Sequence, residues 1–237
     1  MGLKGKGIVV TRPASLAKGL ADLIASAGGT PYLFPAIEIE PLAVAPPPGN
    51  FDLVVFISPT AARQGLKHFN RIGKVVALSA GTRRELERSG VKDVIAAAGA
   101  DSEALLALPE LRDVAGRRIG IFRGEGGREV LAEGLRSRGA AVEYVECYRR
   151  VRPRSDPAPL LAAWRRGALH AVTVSSAEGL RNLFAMLAGG PLAALPLFVP
   201  HERVAAEARR LGAREALVAG PGDDETAAAL VAYFAPS

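Results

Sequence analysis

Short apolar runs rich in β-branched residues alternate along this chain with Ala/Leu/Arg-rich stretches of helical spacing, and that alternation leaves few folds open. The first three pairs are Gly7 to Val10 before Leu16 to Ala27, Leu53 to Ile57 before Ala61 to Phe69, and Val75 to Leu78 before Arg83 to Ser89. Three more follow: Arg118 to Phe122 before Val130 to Arg138, Ala171 to Val174 before Leu180 to Leu187, and Pro196 to Val199 before Val204 to Leu211. Strand-helix repetition predicts an α/β fold with parallel sheets, because parallel neighbours need a crossover and a helix usually supplies it. The run Leu53-Val54-Val55-Phe56-Ile57 has no polar face to offer water, so helices are expected on both faces of its sheet.

The chain also resembles itself. Gly28-Gly29-Thr30-Pro31-Tyr32, ending in Ile37-Glu38-Ile39-Glu40-Pro41, parallels Gly139-Ala140-Ala141-Val142-Glu143, ending in Tyr148-Arg149-Arg150-Val151-Arg152-Pro153. Phe56-Ile57-Ser58-Pro59 parallels Thr173-Val174-Ser175-Ser176, and Ser89-Gly90 parallels Leu211-Gly212, in the same order. Proline-bearing segments, Pro41 to Asn50 and Val151 to Pro159, fall at equivalent places and disfavour helix. Two similar lobes joined at two crossings are therefore expected, and 237 residues are enough to give each its own core.

Charge and composition narrow the function. Thirty Lys and Arg against 24 Asp and Glu give a net charge of +6, which favours an anionic partner. Aromatics are only 5% of the chain and no basic run exceeds a pair, which argues against a nucleic-acid surface. Cys147 stands alone among three scattered histidines, so neither a disulfide nor a zinc cluster is expected. No stretch approaches 18 apolar residues and no secretory signal is apparent, so the expected setting is the cytoplasm, away from membranes.

In open α/β sheets, ligands sit beyond the carboxyl ends of the strands, where helix N-termini offer free N–H groups. The loops to watch are Thr11-Arg12-Pro13, Ser58-Pro59-Thr60, Ser79-Ala80-Gly81-Thr82, Arg123 to Arg128, Ser175-Ser176 and Pro200 to Arg203. Thr82 with Glu85, and Ser175 with Glu178, fit the capping box, so their hydroxyls have a helical use whether or not a ligand binds. Gly124-Glu125-Gly126-Gly127 lacks the Lys-Ser/Thr of a phosphate loop and the dinucleotide glycine spacing, which excludes ordinary nucleotide binding. The serines lack a nucleophile-elbow context, and no histidine is placed by sequence to activate them. His68 and His170 read as solvent or packing residues. Strand alternation puts Cys147 and Tyr148 on opposite faces, with Cys147 as a buried, inert thiol.

Several of these segments together resemble bacterial uroporphyrinogen-III synthases. They are Val9-Val10-Thr11-Arg12-Pro13, Phe34-Pro35-Ala36-Ile37-Glu38-Ile39, Phe56-Ile57-Ser58-Pro59, the run Arg123 to Glu129, and Val145-Glu146-Cys147-Tyr148-Arg149-Arg150. The resemblance is collinear over nearly the whole chain. It implies two α/β lobes, each a parallel sheet flanked by helices, joined by a two-stranded connector. Residues 1–39 and 154–237 would form a discontinuous first lobe and 43–149 the second, with crossings near 40–42 and 150–153. It further implies a cofactor-free, metal-free cyclising lyase that closes the linear tetrapyrrole hydroxymethylbilane with loss of water and inversion of ring D.

That substrate carries eight carboxylates, which gives the +6 charge a use. An acid is needed at the departing oxygen, and a phenol is protonated at neutral pH, so the resemblance makes Tyr148 the expected catalytic residue. By motif position it implies Ser58, Thr82 and Ser175 or Ser176 as cleft hydroxyls. Pro59, Thr60 and Gly81 mark the backbone that borders them, and Arg12, Arg123 and Arg128 are expected to meet carboxylates. The chain departs from the family at Pro200-His201-Glu202-Arg203, where many relatives carry Gly-Pro-x-Thr. The threonine hydroxyl is missing, leaving His201 or Arg203 to stand in. A monomer with transient contact to hydroxymethylbilane synthase is the implied assembly. The alternative function is a non-catalytic two-lobed module that binds an anion.

Overall fold

The computed structural model describes residues 2–44, 50–68, 73–99, 101–188 and 191–235. Its elements run in chain order β1 (Gly7–Val10), α1 (Ala14–Ser26), β2 (Thr30–Leu33), β3 (Glu38–Pro41), β4 (Leu53–Phe56), α2 (Pro59–Gly65), β5 (Lys74–Ala77) and α3 (Ala80–Arg88). Next come β6 (Ile95–Ala96), α4 (Ser102–Leu106), β7 (Arg118–Gly124), α5 (Val130–Ser137) and β8 (Ala141–Val151). The last are α6 (Ala158–Arg165), β9 (Ala171–Thr173), α7 (Ala177–Met186), β10 (Pro196–Val199), α8 (Glu202–Arg210), β11 (Glu215–Val218) and α9 (Asp223–Tyr233). The chain divides into two compact units, one built from Met1–Glu38 with Val151–Ser237, the other from Ile39–Arg150.

The first unit holds a parallel five-stranded sheet in the order β11-β10-β9-β1-β2. Alternate residues of β1 serve different cores. Ile8 and Val10 pack with Leu20 and Ile24 of α1 and Leu230 of α9, whereas Val9 packs with Leu180 and Leu183 of α7 and Val204 of α8. Helices thus cover both faces, as a strand that is buried at every position requires.

The second unit holds six strands in the order β3-β8-β7-β4-β5-β6, with β8, β7, β4, β5 and β6 mutually parallel. On one face Val54, Phe56 and Phe122 pack with Ala61 and Ala62 of α2 and Leu86 of α3. On the other, Leu53, Val55, Ile119 and Ile121 pack with Leu105 of α4 and Leu131 and Leu135 of α5. At the edge, β3 is tied to β8 by the Leu42 N–H donating to the Cys147 carbonyl and by an Arg149–Glu40 ion pair.

Several local expectations need correction. Proline was expected to keep the segment Val151 to Pro159 out of helix, yet α6 begins at Ala158 and takes Pro159 into its first turn. The first turn tolerates proline because its N–H would have no intrahelical partner anyway. The proposed linker residues 45–49 lie outside the described residues. Helix α2 starts two residues earlier than the apolar periodicity suggests, since Pro59 is its first residue, and it tightens into a 3-10 turn after Gly65. Among the described residues, no helix is long and apolar enough to cross a membrane.

Candidate functional site

Each sheet reverses its winding once. In the second unit the chain proceeds from β4 outward through β5 and β6, then returns to lay β7 on the other side of β4. In the first unit the same reversal falls between β1 and β9. Crossover loops diverge at such a switch point and leave a crevice beyond the carboxyl ends of the two strands, the usual ligand position in this architecture. Residues 57–60 and 123–128 lie at one switch point. Thr11-Arg12 and Ser175-Ser176 lie at the other.

At the switch point of the second unit, Ser58 caps α2, its Oγ accepting the Ala61 N–H at 3.0 Å. The same Oγ lies 3.2 Å from the phenolic oxygen of Tyr148, which is 5% exposed. Strand alternation predicts Tyr148 and Cys147 on opposite faces, and the structure overturns this. Arg123 pairs with Glu146 and Gly124 with Tyr148, so Cys147 is an extra residue, a β-bulge that turns both side chains into the core shared with α2. Without the bulge Tyr148 would share a face with Tyr144 and Glu146, away from Ser58.

Both the ring and the backbone of Tyr148 are held. A Cβ on Gly124 would stand 2.7 Å from the Tyr148 Cζ, so only glycine lets the ring lie against this backbone. Glu125 N–H donates to the Tyr148 carbonyl at 2.7 Å. Cys147 is fully buried, and its thiol is pushed up to about 12 by that burial, which leaves it protonated and unreactive.

Arg123 faces the opposite side of the sheet and is 2% exposed. Its guanidinium lies 4.4 Å over the Tyr144 ring, reaches Glu129 at 3.2 Å and stands 4.0 Å from Glu146. Gly127, at φ +119°, folds the loop over it, since a Cβ there would come within 2.6 Å of Nη2. Tyr144 donates to Glu129 at 2.6 Å. Burial first, and that carboxylate second, raise the Tyr144 phenol to about 12, which makes it a poor acid at neutral pH. Arg128 lies on the exposed side of the same loop.

The remaining hydroxyls sort differently from the capping reading. In the second unit Ser79, not Thr82, caps α3, its Oγ accepting the Thr82 N–H at 3.3 Å. Thr82 is fully buried and shares a 3.1 Å hydrogen bond with Ser79. Glu85 does not reach back to the helix start. It takes a bidentate pair from Arg63 at 2.9 and 3.1 Å, which holds its carboxyl below the usual range. Gly81 sits in the first turn of α3, and Pro59 and Thr60 begin α2, with Thr60 buried.

In the first unit Ser176, not Ser175, caps α7 by accepting the Gly179 N–H at 3.1 Å. Ser58 therefore corresponds to Ser176, one residue beyond the match read from the repeat. Ser175 is exposed. Arg12 forms an ion pair with Asp223. Thr11 donates to the Thr173 carbonyl at 2.8 Å, stitching the two switch-point strands together. His201 is the N-cap of α8 and makes no side-chain cap bond, so it does not replace the missing threonine in that task. His170 accepts the Gly7 N–H at Nδ1, a structural use.

Sequence reasoning assigned no role to Ser79, Tyr144, Glu129 or Glu146, although Ser79 stood in a strand-end loop it singled out. Ser79 had a readable signal, a serine directly after an apolar strand and three residues before Thr82, matching Ser58 before Ala61. The carboxylates had none, because their role depends on the bulge and the folded-over loop.

The chain matches a family model described as uroporphyrinogen-III synthase HemD over residues 18–232. It is 32% identical to the uroporphyrinogen-III synthase of Escherichia coli K12 across 92% of this chain and 96% of that protein. It is 31% identical to the enzyme of that name from Salmonella typhimurium LT2, with the same coverages. Among solved structures, uroporphyrinogen-III synthetase from Helicobacter pylori 26695 aligns with a TM-score of 0.65 at 13% identity, covering 96% of this chain and 99% of that one. A mutant uroporphyrinogen III synthase from the extremely thermophilic bacterium Thermus thermophilus aligns with a TM-score of 0.55 at 18% identity, covering 94% and 96%. At these identities the two structures speak to the fold.

Proposed function

The chain belongs to the uroporphyrinogen-III synthase family, and on that premise we propose that Tyr148 is the acid of its reaction. The enzyme cyclises hydroxymethylbilane to uroporphyrinogen III with inversion of ring D and loss of water, a step of haem, sirohaem and cobalamin synthesis. The hydroxymethyl oxygen leaves as water only if a proton arrives as its carbon–oxygen bond breaks. The Tyr148 hydroxyl supplies that proton, and the bilane is left as an azafulvenium cation.

Ring D then attacks the cation through its substituted carbon, giving a spiro intermediate. Fragmentation and reclosure at the other end of ring D complete the inversion. The ring carbon that closes the macrocycle loses its proton, which matches the one given up by Tyr148, so water is the only net loss. Ser58 stands where its hydroxyl can donate to the phenolate between these events. The bilane closes unaided to the uninverted isomer, so holding ring D matters more than proton transfer, and orientation is the larger share of the catalysis.

The single observation that carries this reading is the Tyr148–Ser58 pair at the switch point of the second unit, where a bulge turns the phenol away from the Arg123 cluster. The substrate's carboxylates are assigned to Arg12 and Arg128, with the buried, carboxylate-paired Arg123 supporting Arg128 from beneath, and its polar edges to Ser58, Thr82, Ser175, Ser176 and the backbone at Pro59, Thr60 and Gly81. The net charge of +6 supports that assignment. Residues 1–39 with 154–237 and residues 43–149 act as the two lobes, with crossings near 40–42 and 150–153. The same reading takes the protein as a cytoplasmic monomer that receives its unstable substrate by brief contact with hydroxymethylbilane synthase. The test is to add the folded chain to fresh hydroxymethylbilane: inverted product supports the reading, and only the uninverted isomer refutes it.

A further inference from the structure

The second unit contains a cavity of about 330 Å³ on the α4/α5 face of its sheet, the face opposite Tyr148. Its walls include Ile57, Leu105, Ile121 and Leu131, with Arg123, Arg128, Tyr144, Asp101 and Ser102 supplying the polar groups. It reaches the same switch point as the Tyr148–Ser58 pair. Ile57 and Arg123 line the cavity, while the next residue of each strand end, Ser58 or Gly124, lies against Tyr148.

Most of the polar groups are already committed. Arg123 is neutralised by Glu129 and Glu146, the Tyr144 hydroxyl is given to Glu129, and Asp101 accepts the Ala104 N–H at 2.8 Å. Arg128 and the Ser102 hydroxyl are the exceptions, for among the described residues neither has a side-chain partner, and Arg128 is the only one of the two that carries charge. What remains is an apolar chamber with an aromatic edge and one uncommitted guanidinium, a match for a flat ring that carries a carboxylate. The volume sets the ligand's size. It lies at the lower end of the ~300–1,000 Å³ that small-molecule sites span, enough for one substituted pyrrole and too little for a chain of four.

We propose that this cavity is a holding subsite for a single acid-bearing pyrrole ring, with Arg128 gripping its carboxylate and Arg123 serving as a buried, already neutralised support. The proposal rests on the reading above for the identity of the ring. It adds that the bilane straddles the ends of β4 and β7, one ring anchored on the α4/α5 side while the leaving hydroxymethyl group faces Tyr148 on the other. Anchoring one ring in this way limits the poses open to the rest of the chain.

The probe is a monopyrrole bearing one acetate and one propionate, titrated into methyl-labelled protein and followed by NMR. Shifts are expected at the methyls of Ile57, Ile121 and Leu131. Arg128→Gln, an exposed change, should weaken binding about tenfold, and Ser102→Trp should abolish it by filling the chamber. In turnover, Arg128→Gln should raise KM about tenfold while the inverted isomer remains the product. An undisturbed titration and KM in both variants would overturn the proposal, as would a wild type that makes inverted product but leaves those methyls unmoved. If instead the wild type makes only the uninverted isomer while the probe still binds through Arg128, the assigned reaction fails and the anion-binding cavity stands.

Discussion

The hydroxyl of Tyr148 meets Oγ of Ser58 at 3.2 Å across ninety positions of sequence, because one extra residue in β8 rotates the phenol onto the α2 side of the sheet. A residue that caps a helix and a residue displaced by a bulge thus form one polar pair at the end of β4. The chemistry proposed here depends on that pair.

Tyr148→Phe keeps the buried ring and removes the proton. Loss of a general acid typically costs ~10²–10⁴ in rate, so kcat should fall at least about a hundredfold. KM and circular dichroism should change little, since the ring's packing survives. Initial rates of inverted-product formation check this, and an unchanged kcat would remove Tyr148 as the acid.

Cys147 contributes bulk to the core beside α2 and no chemistry to the reaction. Cys147→Ala retains the bulge and should keep near-normal kcat, with a modest fall in Tm from lost packing in the core beneath α2. Deleting Cys147 removes the bulge but leaves Tyr148 opposite Gly124 and alternating with Glu146, still on the α2 side, so kcat should fall far less than in Tyr148→Phe. Because burial holds its thiol near 12, alkylation at pH 8 should mark Cys147 only after denaturation, which intact-mass measurement reads directly.

Gly124→Ala places a methyl carbon 2.7 Å from the Tyr148 ring, closer than side chains pack. The ring is buried and has nowhere to retreat, so a stability loss of about 1–3 kcal/mol is expected, the usual range for overpacking. Thermal unfolding gives that figure. The accompanying fall in kcat should exceed the fall in the folded fraction.

Glu85 supplies the acid-limb dependence of stability. Hydrogen bonding from Arg63 holds its folded carboxyl below the ordinary value of 4.5, so its contribution is complete above that pH and fades as pH falls through the lower folded value. Glu85→Gln should cost about 1–3 kcal/mol near neutrality by leaving Arg63 poorly matched. The Tm gap between wild type and variant should narrow below about pH 4. A gap that stays constant from pH 7 to pH 3 would show that the charge is not what holds α2 to α3.

The doubly covered α/β architecture was legible because buried strands such as Leu53 to Phe56 carry no polar alternation. The strand-end loops followed from the general position of ligand sites in such sheets. Three features escaped for definable reasons. The bulge at Cys147 has no local signature, since no glycine or proline interrupts β8 and only its pairing with β7 reveals the extra residue. The caps of α3 and α7 were misassigned by a few residues because Ser79 and Thr82, like Ser175 and Ser176, are all competent capping types, and only backbone geometry chooses between them. The cluster around Arg123 joins Tyr144, Glu146 and Glu129 across a strand and a loop, a long-range arrangement that spacing does not encode.

The isomer ratio of the product bears most directly on the whole account. With fresh hydroxymethylbilane, wild-type protein should yield predominantly uroporphyrinogen III, while Tyr148→Phe at equal concentration should let the spontaneous, uninverted isomer I accumulate. Isomer I alone from folded wild-type protein, or the same isomer III yield and rate from both proteins, would contradict it.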